Sequence, residues 1–168
     1  MAKSSKNLQD LFHETLKDIY FAEKKILASL PKMAKAAHDS DLRAAFEKHE
    51  HETEGQVERL EKVFTLIEQP VRGKTCEAVN GIAEEAKDIM KEFKDSPALD
   101  AGLIASAQAV EHYEISRYGT LKAWAEELGL EEAAGLLGQT LQEEKKTDQT
   151  LNELALSSLN TEAQQAAE

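Results

Sequence analysis

The amino-acid sequence predicts an all-α fold, a bundle of four long helices arranged as two antiparallel hairpins. Three observations support this prediction. The 168 residues include only three prolines and eight glycines, the residues that most disfavour helices. Apolar side chains recur at steps of three and four residues over four long segments, and no segment shows the period-two alternation of a strand. We expect one domain, residues 1–168, with a frayed polar tail over about 161–168.

The first two long helices are predicted to form a hairpin. The first runs over about Asn7–Ala37, and Pro31 lies within it, where the missing N–H of proline should kink or locally break the helix. The polar stretch 38–41 is a short turn that can cap the next helix, which runs over about Leu42–Ile67. A connection this short forces the two helices to lie antiparallel.

The second hairpin follows a long crossover. Residues 69–73 end the second helix, and a shorter helix is predicted over about Thr75–Phe93. The pair Ser96–Pro97 is typical of an N-cap and a first helical position, so the third long helix should run over about 97–128. The fourth follows almost at once, over about 131–158. Two hairpins joined by about thirty residues have the connectivity of a ferritin-like bundle, here with a shorter fifth helix in the crossover.

Composition and charge exclude several classes of function. The chain carries 20 basic and 32 acidic residues, a formal net charge of -12, and such a surface repels nucleic-acid phosphates. The single cysteine, Cys76, cannot form an intrachain disulfide and fits a reducing compartment. No apolar run approaches the roughly 18 residues of a membrane helix, and the N-terminus has no apolar signal core. We therefore expect a cytoplasmic protein with no nucleic-acid or membrane partner.

The acids in the core positions are the most informative feature. Each long helix places candidate metal-binding residues near its midpoint, on the face that the apolar periodicity assigns to the core. They are Glu23, with Asp18 as the alternative, on the first helix; His49 and Glu52 on the second; Glu111 and Glu114 on the third; and Glu144 and Asp148 on the fourth. The midpoints of antiparallel helices of similar length lie at the same level. Because unpaired buried carboxylates are costly, this convergence predicts a pair of metal ions.

The pattern departs from the usual di-iron bundle, in which two helices each carry a Glu-x-x-His pair. The residue three after Glu52 is Gly55, and the residue three after Glu144 is Thr147. The second helix instead has the reverse order, His49 followed by Glu52. The predicted site is therefore rich in carboxylates and poor in histidine.

A structural interpretation competes with the metal site. Each core acid taken alone is more simply paired with a lysine or arginine, and Arg59 and Arg117 are the nearest such partners along the helices. His49 would then be a core histidine with satisfied hydrogen bonds. The three tyrosines of the chain are predicted to pack with hydrogen-bonded hydroxyls, and His51 and His112 are predicted to point away from the core. Convergence on all four helices favours metal binding.

Five segments resemble the bacterial YciE/YciF stress-protein family, over nearly the whole chain. They are Asp18–Glu23, Ala44–His49, Glu52–Leu60, Ala107–Ile115 and Leu141–Asp148. The resemblance implies a ferritin-like fold, stress-linked expression, a homodimer and a dinuclear metal site. The metal-binding residues that it implies are Glu23, Glu52, Glu111, Glu114, Glu144 and Asp148, together with His49.

These observations favour a stress protein that holds two iron ions, or manganese, and oxidises ferrous ion or consumes peroxide. The alternative is a non-enzymatic helical bundle that acts through protein partners and uses the core acids as salt-bridged or protonated groups. A storage cage ranks last, because a dimer does not enclose iron.

Overall fold

The structure, a computed structural model, describes residues 5–165. Its elements are α1 (Leu8–Leu27), α2 (Leu30–Ala36), α3 (Ser40–Leu66), α4 (Glu77–Glu92), α5 (Leu99–Glu127), α6 (Glu131–Leu154), a π-helical segment (Ala155–Leu159) and α7 (Asn160–Gln165). The described residues contain no strand, which confirms the predicted all-α fold. Within this part of the chain, no helix is both long enough and apolar enough to cross a bilayer.

Local chemistry explains the beginning and the interruption of the first predicted helix. The Asn7 side chain accepts a hydrogen bond from Asp10 N–H while the Asp10 carboxylate accepts one from Asn7 N–H, a capping box that starts α1. Pro31 is the second residue of α2, where its missing N–H costs no helical hydrogen bond. The predicted break at Pro31 is therefore confirmed, and it lies over residues 28–29.

The predicted N-cap of the third long helix is wrong. The α5 helix begins at Leu99 rather than at Pro97. The Ser96 hydroxyl accepts a hydrogen bond from Ala98 N–H, and the Ser96 carbonyl accepts one from Leu99 N–H. Short side chains of this kind stabilise turns as readily as helix ends, and here the bonds close a separate turn before the helix.

Helical structure extends into the predicted tail. Helical structure continues from α6 through the π-helical segment into α7 and reaches Gln165, whereas fraying was expected from residue 161. Both terminal elements contact α5, and Leu159 is buried against the core, so packing stabilises the extra turns. Residues 166–168 of the predicted tail lie outside the described part of the chain.

Four long helices form the bundle, and α4 covers one side of it. The helix pairs in contact are α1 with α3, α5 with α6, α3 with α6, and α1 with α5. The crossover helix α4 packs on α5 and α1. It approaches α5 at Gly102, where a Cβ atom would lie 2.6 Å from Ile89 Cγ2. The buried apolar side chains fill the space between the long helices, with Phe12, Phe46 and Phe64 among the largest.

One buried carboxylate joins the start of α5 to the turn between α2 and α3. Asp100 is 6 % exposed. Its two oxygens accept hydrogen bonds from the backbone N–H groups of His38, at 2.9 Å, and Asp39, at 2.8 Å. The Asp39 carboxylate in turn accepts bonds from Asp41 and Leu42 N–H, which caps α3. The first hairpin is therefore held to the second through Asp100.

We expect replacement of Asp100 by alanine to lower the free energy of unfolding by about 2–4 kcal/mol, because two backbone N–H groups lose a charged acceptor. Asp100→Asn keeps one acceptor oxygen and should lose less. Urea denaturation measures the change, with Asp88→Ala at an exposed position of α4 as the control. A loss at Asp100 no larger than that at Asp88 would contradict this account of the turn.

Candidate metal centre

Four side chains from three helices meet in the core of the bundle. His49 comes from α3, Glu111 and Glu114 from α5, and Glu144 from α6. One potential ligand atom of each residue lies within 4.8 Å of those of the other three. All four side chains are buried, with the least buried of them, His49, only 3 % exposed. A cluster of one imidazole and three carboxylates at this spacing can hold a metal ion.

Helical periodicity and the antiparallel packing produce this arrangement. Glu111 and Glu114 lie three residues apart on α5 and therefore share a face. His49 reaches them from α3, so that its Nε2 atom lies 3.1 Å from Glu111 Oε1 and 3.9 Å from Glu144 Oε2. The first contact lacks the alignment of a hydrogen bond and the second is too long for one, so both ring nitrogens of His49 are without a hydrogen-bond partner. The imidazole thus faces two carboxylates without being bound by either.

The oxygens of the cluster are equally unsatisfied. Both oxygens of Glu114, both of Glu144 and Oε2 of Glu111 are buried without a hydrogen-bond partner. Within residues 5–165, none of these three glutamates forms a salt bridge with lysine or arginine. Buried polar groups are nearly always satisfied in proteins, and several unsatisfied acceptors in one place indicate a missing cation or proton.

The two arginines expected to neutralise the core acids bind elsewhere. Arg59 forms a bidentate salt bridge with the Glu143 carboxylate, with hydrogen bonds of 2.7 and 2.8 Å, and also donates to the Thr140 hydroxyl. Arg117 lies over the ring of Tyr113, 5.1 Å from its centroid. Contrary to the structural interpretation, neither arginine forms a salt bridge with Glu111, Glu114 or Glu144.

Burial controls the acidity of the cluster. It raises the pKa of Glu111 to about 8, and it raises the pKa values of Glu114 and Glu144 well above the usual range. For Glu114 and Glu144, the charges of neighbouring glutamates raise the pKa further. Without a bound cation, burial and the charges of neighbouring glutamates favour the protonated forms of these groups.

Glu23, rather than Asp18, lies beside the cluster. The Glu23 side chain is fully buried, accepts a hydrogen bond from the Tyr118 hydroxyl, and leaves Oε2 without a partner. Burial raises the pKa of Glu23 to about 7, and its charge raises the pKa of Glu114. Asp18 is half-buried and accepts a hydrogen bond of 2.6 Å from the Tyr113 hydroxyl. Glu23 thus belongs with the inner acids.

Glu52 and Asp148 lie at the margin of the cluster. Their side chains are 26 % and 25 % exposed. One oxygen of Glu52 accepts a hydrogen bond from Lys48, and the other is buried without a partner. Asp148 accepts a hydrogen bond from Gln108 Nε2 at 3.1 Å. Both acids are close enough to raise the pKa of Glu111, but neither belongs to the four-residue cluster.

The remaining predictions about single side chains agree with the structure. His51 and His112 are exposed. The hydroxyls of the three tyrosines donate to carboxylates, with Tyr20 bonded to Glu61 at 2.9 Å. Cys76 is buried as the N-cap of α4.

Gln56 is a further candidate that the sequence interpretation did not select. Its side chain is fully buried, Nε2 donates to Glu143 at 3.2 Å, and Oε1 has no partner. Gln56 lies two turns after His49 on the inward face of α3. Its place on the apolar face of α3 was the only indication in the sequence. A neutral amide at such a position is readily interpreted as a core residue.

The donor set fits a hard or borderline divalent metal. Unsatisfied carboxylate oxygens and one imidazole suit iron, manganese or zinc, whereas the cluster contains no thiolate. The buried His/Glu cluster can therefore hold a metal ion.

Comparisons with known proteins place the chain in a family. Residues 7–164 match the family described as a domain of unknown function, DUF892. Protein YciF of Escherichia coli (strain K12) is 42 % identical over 163 residues, which are 96 % of this chain and 98 % of YciF.

Solved structures support the same relationship. The crystal structure of the E. coli stress protein YciF has a TM-score of 0.88 at 42 % identity. The match spans 93 % of this chain and 99 % of the YciF chain. YcfI from Rhodopseudomonas palustris has a TM-score of 0.85 at 43 % identity, and the match spans 90 % of this chain and 97 % of the YcfI chain. A protein from Xanthomonas campestris, with a TM-score of 0.70 at 23 % identity, shares the fold. The resemblance that the motifs indicated is confirmed, and the chain belongs to the DUF892 family as a relative of YciF.

Proposed function

We propose that the chain is a stress-response protein that holds two divalent ions, iron or manganese, in its core. The observation that carries this proposal is the group of four buried glutamates, Glu23, Glu111, Glu114 and Glu144, each at most 1 % exposed. Together they carry up to four negative charges with no lysine or arginine bound to them in residues 5–165. Two divalent cations would neutralise this charge, and one would leave half of it buried.

The proposed ligands divide into an inner and an outer group. His49, Glu111, Glu114 and Glu144 would hold the ions, since their ligand atoms already lie within 4.8 Å of one another. Glu23 would join them through the oxygen that Tyr118 does not bind. We assign Glu52 and Asp148 to the outer group, because both are partly exposed and have other partners.

Bound iron or manganese supplies electron transfer and Lewis-acid chemistry, and we propose oxidation of ferrous ion or consumption of peroxide as the reaction. The residues of the chain prepare the site. Tyr118 orients Glu23 through its hydrogen bond, and the surrounding apolar side chains exclude water. Since the E. coli relative is a stress protein, we propose a role in stress for this chain also, in the cytoplasm. The homodimer that the resemblance implies remains a prediction.

The first test is metal content. We expect protein purified without chelators, and loaded anaerobically with ferrous ion, to contain two equivalents of iron per chain. The double variant Glu111→Gln/Glu144→Gln should bind at least tenfold less, because it lacks two of the inner carboxylates. Mass spectrometry of the metal and thermal unfolding with and without ferrous ion give independent measurements.

Two results would refute the proposal. They are the absence of metal after loading, and equal metal content in the wild type and the double variant. The bundle would then act through protein partners, with its core acids protonated.

We also predict that metal-free protein loses stability as the pH rises from about 5 to 8. The pKa values of Glu23 and Glu111, about 7 and 8 in the folded protein, exceed the value of about 4.3 in an unfolded chain. The folded state therefore binds more protons than the unfolded chain over this window. The free energy of unfolding falls by up to about 1.4 kcal/mol per pH unit for each group. Urea denaturation in the presence of EDTA measures this dependence.

Saturating manganous ion should remove this loss, because metal binding favours the ionised carboxylates. Glu111→Gln should flatten the dependence in the metal-free protein. Stability that stays constant or rises over this range would show that the core acids do not retain protons.

A third prediction distinguishes the two acids of α1. Glu23→Gln should remove about one equivalent of metal per chain, since it replaces a charged donor beside the cluster with a neutral one. Asp18→Asn should retain both equivalents, because Asp18 contacts Tyr113 and not the cluster. Isothermal titration calorimetry with manganous ion measures the number of metal sites per chain. The reverse result would assign the ligand to Asp18.

A further inference from the structure

A cavity extends from the surface of the molecule to the candidate metal centre. It lies where α4 covers α2 and α5, and its volume is about 40 Å³. The exposed side chains of Lys32 and Lys87 mark its outer end, and the buried side chains of His49 and Glu111 mark its inner end. The cavity thus reaches two of the four residues of the cluster.

The wall between these ends is apolar. It includes Ile26, Val79, Ala86 and Val110 among other aliphatic side chains. It also includes two methionines, Met33 and Met90. The side chains that a polar molecule would need for binding are therefore scarce along this part of the cavity.

The two serines of the wall do not change its character. Ser29 Oγ donates to the carbonyl oxygen of Lys25 at 2.9 Å, and Ser106 Oγ donates to that of Gly102 at 3.0 Å. Each hydroxyl has thus donated its proton to the carbonyl oxygen four residues earlier. The serine oxygens can still accept a hydrogen bond, but they offer no donor, and the aliphatic side chains offer neither, so a water or peroxide molecule in this section would lose most of its hydrogen bonds.

The size of the cavity limits its ligand to a very small molecule. A single water requires about 10–15 Å³ on a comparable measure, and a cavity that binds benzene has about 150 Å³. A volume of about 40 Å³ fits a diatomic molecule and is well below that of the cavity that binds benzene. The buried imidazole of His49, with both nitrogens unpartnered, lies at the inner end.

We propose that this cavity is a binding site for dioxygen that leads to the metal centre, so that dioxygen rather than hydrogen peroxide is the oxidant that enters by this route. This inference rests on the proposed function for the role of the bound gas. The binding of an apolar diatomic molecule itself depends only on the wall.

Methyl NMR of the metal-free protein tests the binding. With methyl-labelled methionine and leucine, dissolved dioxygen, which is paramagnetic, should enhance relaxation at Met33 and Met90 at least threefold more than at two reference residues. These references are Leu103, which is fully buried elsewhere, and Leu156, which is 72 % exposed. Xenon, which occupies apolar cavities, should compete and reduce the enhancement in the wild-type protein.

A matched pair of variants on α4 locates the effect. Ala86→Leu adds a side chain to the wall of the cavity, and Ala78→Leu makes the same change at an exposed position. We expect the enhancement at Met33 and Met90 to fall to that of Leu103 in the first variant and to stay unchanged in the second. An enhancement in the wild type no larger than at Leu103, or one that xenon does not reduce, would overturn the proposal without reference to any variant.

Oxidation kinetics then test the role of the gas. In protein loaded with ferrous ion, Ala86→Leu should slow oxidation by dioxygen at least fivefold and leave oxidation by hydrogen peroxide unchanged. Equal slowing by both oxidants would overturn the selectivity for dioxygen. Failure to bind iron would refute the proposed function instead, and the methyl relaxation would still decide whether the cavity binds the gas.

Discussion

The cost of burying several carboxylates without cationic side chains governs this structure. Glu111, Glu114 and Glu144 lie in the core with unsatisfied oxygens, and the large rise in their pKa values reflects that cost. A protein tolerates such groups only if the surrounding structure is stable enough to hold them. Long helices with apolar faces provide this stability, because Glu23, Glu111, Glu114 and Glu144 lie among many well-packed apolar side chains.

Two hydrogen bonds between a tyrosine and a carboxylate join α5 to α1. One lies in the core beside the cluster, and the other lies nearer the surface. Tyr118 donates to Glu23 and Tyr113 donates to Asp18, and each pair is 95 residues apart in the chain. The inner pair lies in the core beside the cluster. The outer tyrosine also has the thiol of Cys76 3.0 Å from its hydroxyl oxygen and the guanidinium of Arg117 over its ring. Helix rotation thus gives similar pairs different surroundings, so that Glu23, and not Asp18, lies beside the cluster.

The crossover contributes to the site although it carries none of the proposed ligands. The break before Pro31 separates α2 from α1, and α4 packs against α1 and α5. The contact at Gly102 brings α4 close at one end, while the small side chains of Ala83 and Ala86 line the cavity nearer the cluster. The crossover helix therefore forms one wall of the cavity beside the cluster, and Asp100 holds the turn between α2 and α3.

The sequence by itself determined the helices, their antiparallel order and the inward face of each. Periodicity carries this information because the apolar side chains must face one core. It also selected His49, Glu111, Glu114 and Glu144, which share those faces. Only the tertiary structure decided which charged groups meet. It showed that Arg59 binds Glu143 and that Glu52 and Asp148 lie at the margin, since these contacts depend on neighbouring helices and on side-chain rotamers. Which of Glu23 and Asp18 lies closer to the cluster was likewise decided by the tertiary structure, because an error of one residue in the register rotates a helix by about 100°.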